Sequence, residues 1–214
     1  MNKTTRLVAS IFGAYVGIVG IEHGLGEITQ GNILVPTGTR FMAWPNSPLF
    51  RILGGEPAMT FIPNLLLSGI LAIAVSLVIV AWSLGFVQRK FGSPILILFC
   101  ILQLLVGGGY APPTLGLITA LGALMIHMPV KWLNAHLPLF IRRGASRLWP
   151  WIFGICLLIW FYLFPGSIIL AFLFGLADSQ LIIPFSFPAI GFLILTFVVA
   201  FGNDIDRYHR VELA

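Results

Sequence analysis

The sequence predicts an all-α fold: a polytopic integral membrane bundle of about six transmembrane helices, one domain over residues 1–214, with both termini cytoplasmic. Three observations carry this expectation. Of the 214 residues, 58% are hydrophobic and 9% charged, against about 25% charged in a soluble domain. Several uncharged runs exceed the roughly 18 apolar residues that mark a spanning helix. The basic residues stand in short blocks beside those runs, which is how cytoplasmic helix ends are marked.

Residues 91–130 constrain the layout most, with forty positions and no formal charge. As one helix they would reach about 60 Å, about twice the hydrocarbon thickness of a bilayer, so the stretch has to fold back. Val106-Gly107-Gly108-Gly109-Tyr110-Ala111-Pro112-Pro113 marks the break: glycines release the backbone, and prolines withhold the amides that would carry the helix onward. Arg89 and Lys90 precede the stretch, and Lys131, Arg142, Arg143 and Arg147 follow it. Both feet of the broken hairpin are therefore expected on one side. The predicted spans are residues 7–26, 61–87, 94–110, 112–128, 149–165 and 181–202, with an outer loop at 27–60 and an inner basic loop at 129–148. This layout leaves ten Lys and Arg inside and two, Arg40 and Arg51, outside; reversal would invert the ratio.

Lys3 and Arg6 precede an apolar run in the order of a secretory signal, but the glycines that follow assign it to a retained helix. Gly13, Gly17, Gly20 and Gly24 advance by four, three and four residues, which keeps them on one helical face and lets another helix approach closely. Glu22, His23 and Glu27 close this helix; His23 and Glu27 stand one turn apart beside the glycine face, and Glu22 points nearly opposite. Ionisable groups near hydrocarbon are costly and mark candidate sites. The pair permits a local ion pair, a proton relay or a metal pair. The polar segment 28–60 is read as a cap or lid, with Trp44 beside Pro45 and a short interfacial helix at 47–54.

Asn64 opens the second span and, as an amide in apolar surroundings, is expected to hydrogen-bond between helices. Ser93 is the predicted N-cap of the third helix, with Pro94 at its first position. The hairpin arms are short for a 30 Å core, which places the turn within or just above the outer leaflet, with Gln103 a few residues further in. Residues 128–147 mix Lys131, Trp132, Arg142, Arg143 and Arg147 with apolar side chains, a composition suited to anionic headgroups. Trp149-Pro150-Trp151 opens the fifth span and Pro165-Gly166 closes it. Residues 167–177 are then too short to cross again and read as a re-entrant piece ahead of Asp178. Pro184 and Pro188 kink the last span.

No Walker A, HExxH, CxxC, GxSxG or dinucleotide fingerprint is present, so no cofactor is predicted. Cys100 and Cys156 each lie in an apolar run without a CxxC partner. The net charge of +5 sits beside membrane spans, which points to lipid headgroups and not to nucleic acid. A haem clamp from His23 to His127 would have to cross most of the membrane, and His136 and His209 lie outside the spans. Candidate ligand-binding residues are Glu22, His23, Glu27, Asn64, Gln103, Gly107, Gly108, Gly109 and Tyr110, with His23 and Glu27 the metal candidates. They are expected to converge in the outer half of a small-solute transporter or solute-binding subunit of a prokaryotic plasma membrane. The competing expectation is an accessory subunit without catalysis that binds a partner helix, or a second copy, through the glycine face.

Overall fold

The computed structural model describes residues 1–35, 40–42, 57–174 and 179–212. Among these the chain is helical apart from one two-stranded antiparallel ribbon. Helix α1 (Lys3–Ile28) leads to the ribbon, in which β1 (Arg40–Met42) pairs with β2 (Pro57–Met59) and Arg40 stands opposite Met59. Then follow α2 (Leu65–Gly85), α3 (Gly92–Leu105) and α4 (Ala111–Ala123), the last prolonged by a 3-10 turn, Leu124–His127. The short α5 (Val130–His136) precedes α6 (Leu139–Phe161), which is separated by a kink at Tyr162–Gly166 from α7 (Ser167–Phe174); α8 (Ser179–Glu212) completes the described chain.

Four helical stretches, Lys3–Ile28, Leu65–Gly85, Leu139–Phe174 and Phe185–Val211, are long and apolar enough to cross a membrane. They mark an integral membrane protein. Gly92–Leu105 and Ala111–His127 are apolar but shorter. They pack against one another: Ser93 Oγ donates to Ala120 O, and Gly116 lies where Cys100 Sγ and Val16 leave no room for a side chain. The chain therefore does fold back at the glycines, Gly107 and Gly109 both adopting positive φ (95° and 77°), a conformation that costs other residues energy.

The glycine ridge of α1 packs inward, against α2. A Cβ on Gly24 would lie 2.8 Å from Gly69 O, and one on Gly17 2.6 Å from Ser76 O, closer than side chains approach backbone. Gly13 meets Ser83 and Gly20 meets Ser76 and Gln103. Lipid tails are as apolar as leucine, so this seam is held by dispersion between closely approached backbones. Phe12, Val16, Ile79, Leu96, Leu193 and Phe197 fill the space between α1, α2, α3 and α8, while Leu67, Leu77, Leu158 and Phe187 point outward.

Hydrogen bonds gather several helix ends at one end of the bundle. Thr4 and Thr5 at the start of α1 donate backbone N–H to the Asp204 carboxylate of α8 at 2.9 and 2.8 Å, a carboxylate cap for a helix N-terminus supplied from another helix. Asn203 Nδ2 donates to Thr4 Oγ1 and Ser146 Oγ of α6 donates to Asn203 Oδ1, both at 2.8 Å. Asn2 N donates to Ile126 O at 2.9 Å, and His127 Nε2 lies 2.9 Å from Gln88 O.

The structure corrects several expected boundaries. Residues 129–148 are largely helical, not a loop, because α5 and the first turns of α6 occupy all but Pro129, Leu137 and Pro138; Arg142 is buried there, so the arginines begin a helix where composition alone reads an interfacial stretch. Trp149-Pro150-Trp151 falls within α6 instead of opening it. Pro165-Gly166 does stand at the end of a helix, as expected: α6 stops at Phe161 and α7 starts at Ser167. The backbone leaves helical geometry at Phe164 (φ −158°, ψ 131°), so α6 and α7 are two helices meeting at a kink within the apolar stretch Leu139–Phe174. Ser93 is not the N-cap of α3: Phe91 holds that position, so Pro94 is not the first helical residue. Asn64 caps its own helix instead of bridging two, accepting from Leu67 N at 3.0 Å. The predicted helix at 47–54, Trp44 and Asp178 lie outside the described residues.

Candidate functional site

At the end of the bundle opposite Asp204, α1 turns His23 and Glu27 toward α2 and the α3–α4 turn. Both side chains are fully buried, and His23 Nε2 stands 4.0 Å from Glu27 Oε1. Their burial follows from the glycine ridge: with Gly20 and Gly24 on the same side of α1, the neighbouring backbone comes close enough to cover side chains one turn further on.

The α3–α4 turn covers the pair. A Cβ on Gly109 would sit 2.8 Å from His23 Nδ1, and one on Gly107 would sit 2.6 and 2.8 Å from the two Glu27 oxygens while colliding with Ser68 Oγ. Gly108 N donates to Gln103 O at 2.8 Å, closing α3. Gln103, also fully buried, donates Nε2 to Ser76 Oγ at 2.9 Å. The segment before α2 seals the other flank, where Thr60 bridges Val106 and Phe61 N donates to Leu105 O at 3.0 Å.

The hydroxyls of this cluster form a chain. Thr60 Oγ1 accepts Ile62 N at 3.0 Å and lies 3.0 Å from Ser68 Oγ, which lies 2.7 Å from Val106 O. Ser68 carries one proton and has both Val106 O and Thr60 Oγ1 as acceptors within reach. Both Glu27 oxygens and Gln103 Oε1 are buried without a donor in full hydrogen-bonding geometry among the described residues. The ends of α1 and α3 bring carbonyl-rich termini here, and the starts of α2 and α4 bring amide-rich ones; these end charges offset.

No family model, curated protein or solved structure matches the chain. The site's chemistry is therefore read from its geometry.

Of the predicted site residues, His23, Glu27, Gln103, Gly107, Gly108 and Gly109 come together. Asn64 does not join them: it is half-buried at the start of α2, with Nδ2 donating to Asn32 Oδ1. Glu22 lies on the opposite side of α1, two turns from Tyr15, whose hydroxyl donates to Trp160 O at 2.7 Å. Tyr110 is half-buried and starts α4 by accepting Thr114 N at 3.2 Å through its carbonyl. His23 and Glu27 find no third His, Cys, Asp or Glu among the described residues, so these residues do not assemble the usual nitrogen and sulfur set of a zinc site. His127 bonds at the far end of the bundle, away from His23.

Thr60, Ser68 and Ser76 escaped the sequence reading. A signal for two of them existed: Ser68, Ala72, Ser76 and Ser83 recur at four, four and seven residues along α2, all buried, a small-residue stripe matching the glycine ridge opposite.

Proposed function

We propose that the protein crosses a prokaryotic plasma membrane six times, α3 and α4 counting as crossings, with the ends of α1 and α8 in the cytoplasm. In its outer half it binds a small polar solute, which it carries or presents to a partner. One observation carries this reading: two ionisable side chains, His23 and Glu27, are fully buried 4.0 Å apart within an apolar helical protein. Such groups are expensive in a membrane and persist where they handle a ligand or a proton. A helix interruption beside them, at Gly107 to Gly109, offers backbone groups to a ligand.

Orientation follows from charge. Lys3, Arg89, Lys90, Arg147 and Arg210 belong to segments gathered around the Asp204 end, and that basic end faces the cytoplasm in this proposal. Exposed Lys131, Arg143 and Arg147 then meet anionic headgroups. The accessory-subunit alternative loses the surface that motivated it, because α2 fills the glycine ridge.

Native mass spectrometry of the gently extracted protein tests the reading. The wild-type chain should carry a small polar adduct that disappears in His23→Ala/Glu27→Gln. A wild-type chain that releases lipid alone, or an adduct indifferent to both substitutions, overturns it.

A further inference from the structure

The buried acceptors around Glu27 say more about what the site takes. Six oxygens belong to or border this part of the cluster: both carboxylate oxygens of Glu27, Ser68 Oγ, Thr60 Oγ1, Val106 O and Gln103 Oε1. The Ser68 proton has Val106 O and Thr60 Oγ1 as acceptors, and both Glu27 oxygens and Gln103 Oε1 lack a donor in hydrogen-bonding geometry among the described residues. A buried region rich in acceptors calls for a proton or another cation at the Glu27 carboxyl group, since an uncompensated buried carboxylate costs far more than an unmade hydrogen bond.

We propose that the Glu27, Ser68 and Val106 oxygens form a monovalent-cation site, occupied by a proton or a sodium ion, that works beside the solute site. This rests on reading the region as a ligand site in a membrane. The geometry supports it in three ways. The ligands are hard oxygens, which suit alkali cations and not soft transition metals. Gly107 has positive φ, and a Cβ there would lie 2.6 Å from Glu27 Oε1, so the backbone comes as close to the carboxylate as a residue without a side chain permits. The Val106 carbonyl belongs to a helix interruption, where cation-coupled membrane proteins expose coordinating carbonyls. His23 is the titratable side chain that faces Glu27 from α1; α2 presents Ser68, the preceding segment Thr60, and the α3–α4 turn its backbone. The solute would thus bind next to a carboxylate whose charge depends on whether the cation is present.

Purified full-length protein in non-ionic detergent can be treated with dicyclohexylcarbodiimide, a hydrophobic reagent that modifies protonated carboxyl groups, and labelling at Glu27 read by peptide mass spectrometry. Labelling should be strong at acid pH and fall as pH rises. If sodium is the ligand, sodium chloride should lower labelling severalfold at fixed pH while choline chloride does not, and Ser68→Ala should weaken that protection. If the ligand is a proton alone, the two salts act alike and only pH matters. In parallel, the thermal stability of the wild-type chain should depend on sodium or pH, and Glu27→Gln should remove that dependence. Glu27 unlabelled at every pH, with wild-type stability unmoved by either variable, overturns the proposal. A solute adduct seen without any cation dependence sinks the cation site alone, and cation dependence without an adduct sinks the solute reading alone.

Discussion

Gly107 and Gly109 set how closely the α3–α4 turn can approach the polar pair of α1. Both hold positive φ, and a Cβ on either would run into Glu27 or His23. Gly107→Ala and Gly109→Ala each combine backbone strain with a clash, and each should cost about 1–3 kcal/mol. Thermal unfolding in detergent measures this directly. Gly31→Ala is a useful comparison, since Gly31 has positive φ but nothing within 4 Å of a Cβ; it should show the strain alone, and a loss equal to the other two would mean that closeness to the pair contributes nothing.

At the scale of elements, the α1–α2 seam governs whether the polar cluster exists at all, because it brings Ser68 and Ser76 against α1. Gly24→Leu would drive a branched side chain into the Gly69 and Ile73 backbone and part the helices. It should make the extracted protein sensitive to protease, whereas Gly154→Leu, on an open face of α6 with nothing within 4 Å, should not. This seam was half legible in the sequence. Glycines spaced four, three and four apart leave few readings, but the stripe of Ser68, Ala72, Ser76 and Ser83 opposite them hides among residues ordinary in apolar helices. The site was legible for a related reason. Scarce charges such as His23 and Glu27 stand out in an apolar chain, while Thr60 and Ser68 join them only through contacts across 33 and more positions of sequence that no local periodicity encodes. Boundaries failed where composition and conformation part company: Arg142, Arg143 and Arg147 resemble a headgroup loop, yet lie on α6, whereas Pro165, a residue that cannot continue a helix, does stand at a break.

Over the whole molecule, the bonds of Asn2, Thr4, Thr5, Gln88, His127 and Ser146 assemble one end of the bundle. In a Cys100→Ala/Cys156→Ala background, cysteines introduced by Lys90→Cys and Arg143→Cys should react with a membrane-impermeant maleimide from the same side of sealed vesicles, and one introduced by Ile33→Cys from the other. Lys90→Cys and Arg143→Cys reacting from opposite sides would break the even-numbered layout. Asp204→Ala should strip the cap from α1, at about 1–3 kcal/mol, and loosen the ends of α1 and α8 together in hydrogen exchange.

The clasp between Thr4 and Asp204 joins residues 200 positions apart in the chain. At a ribosome's pace of about 5–20 residues per second, the amides that open the first helix wait roughly 10–40 s for their carboxylate to be made. During that interval they must be hydrated at the membrane surface or shielded by another protein, so biogenesis closes as a ring, the latest helix finishing the earliest.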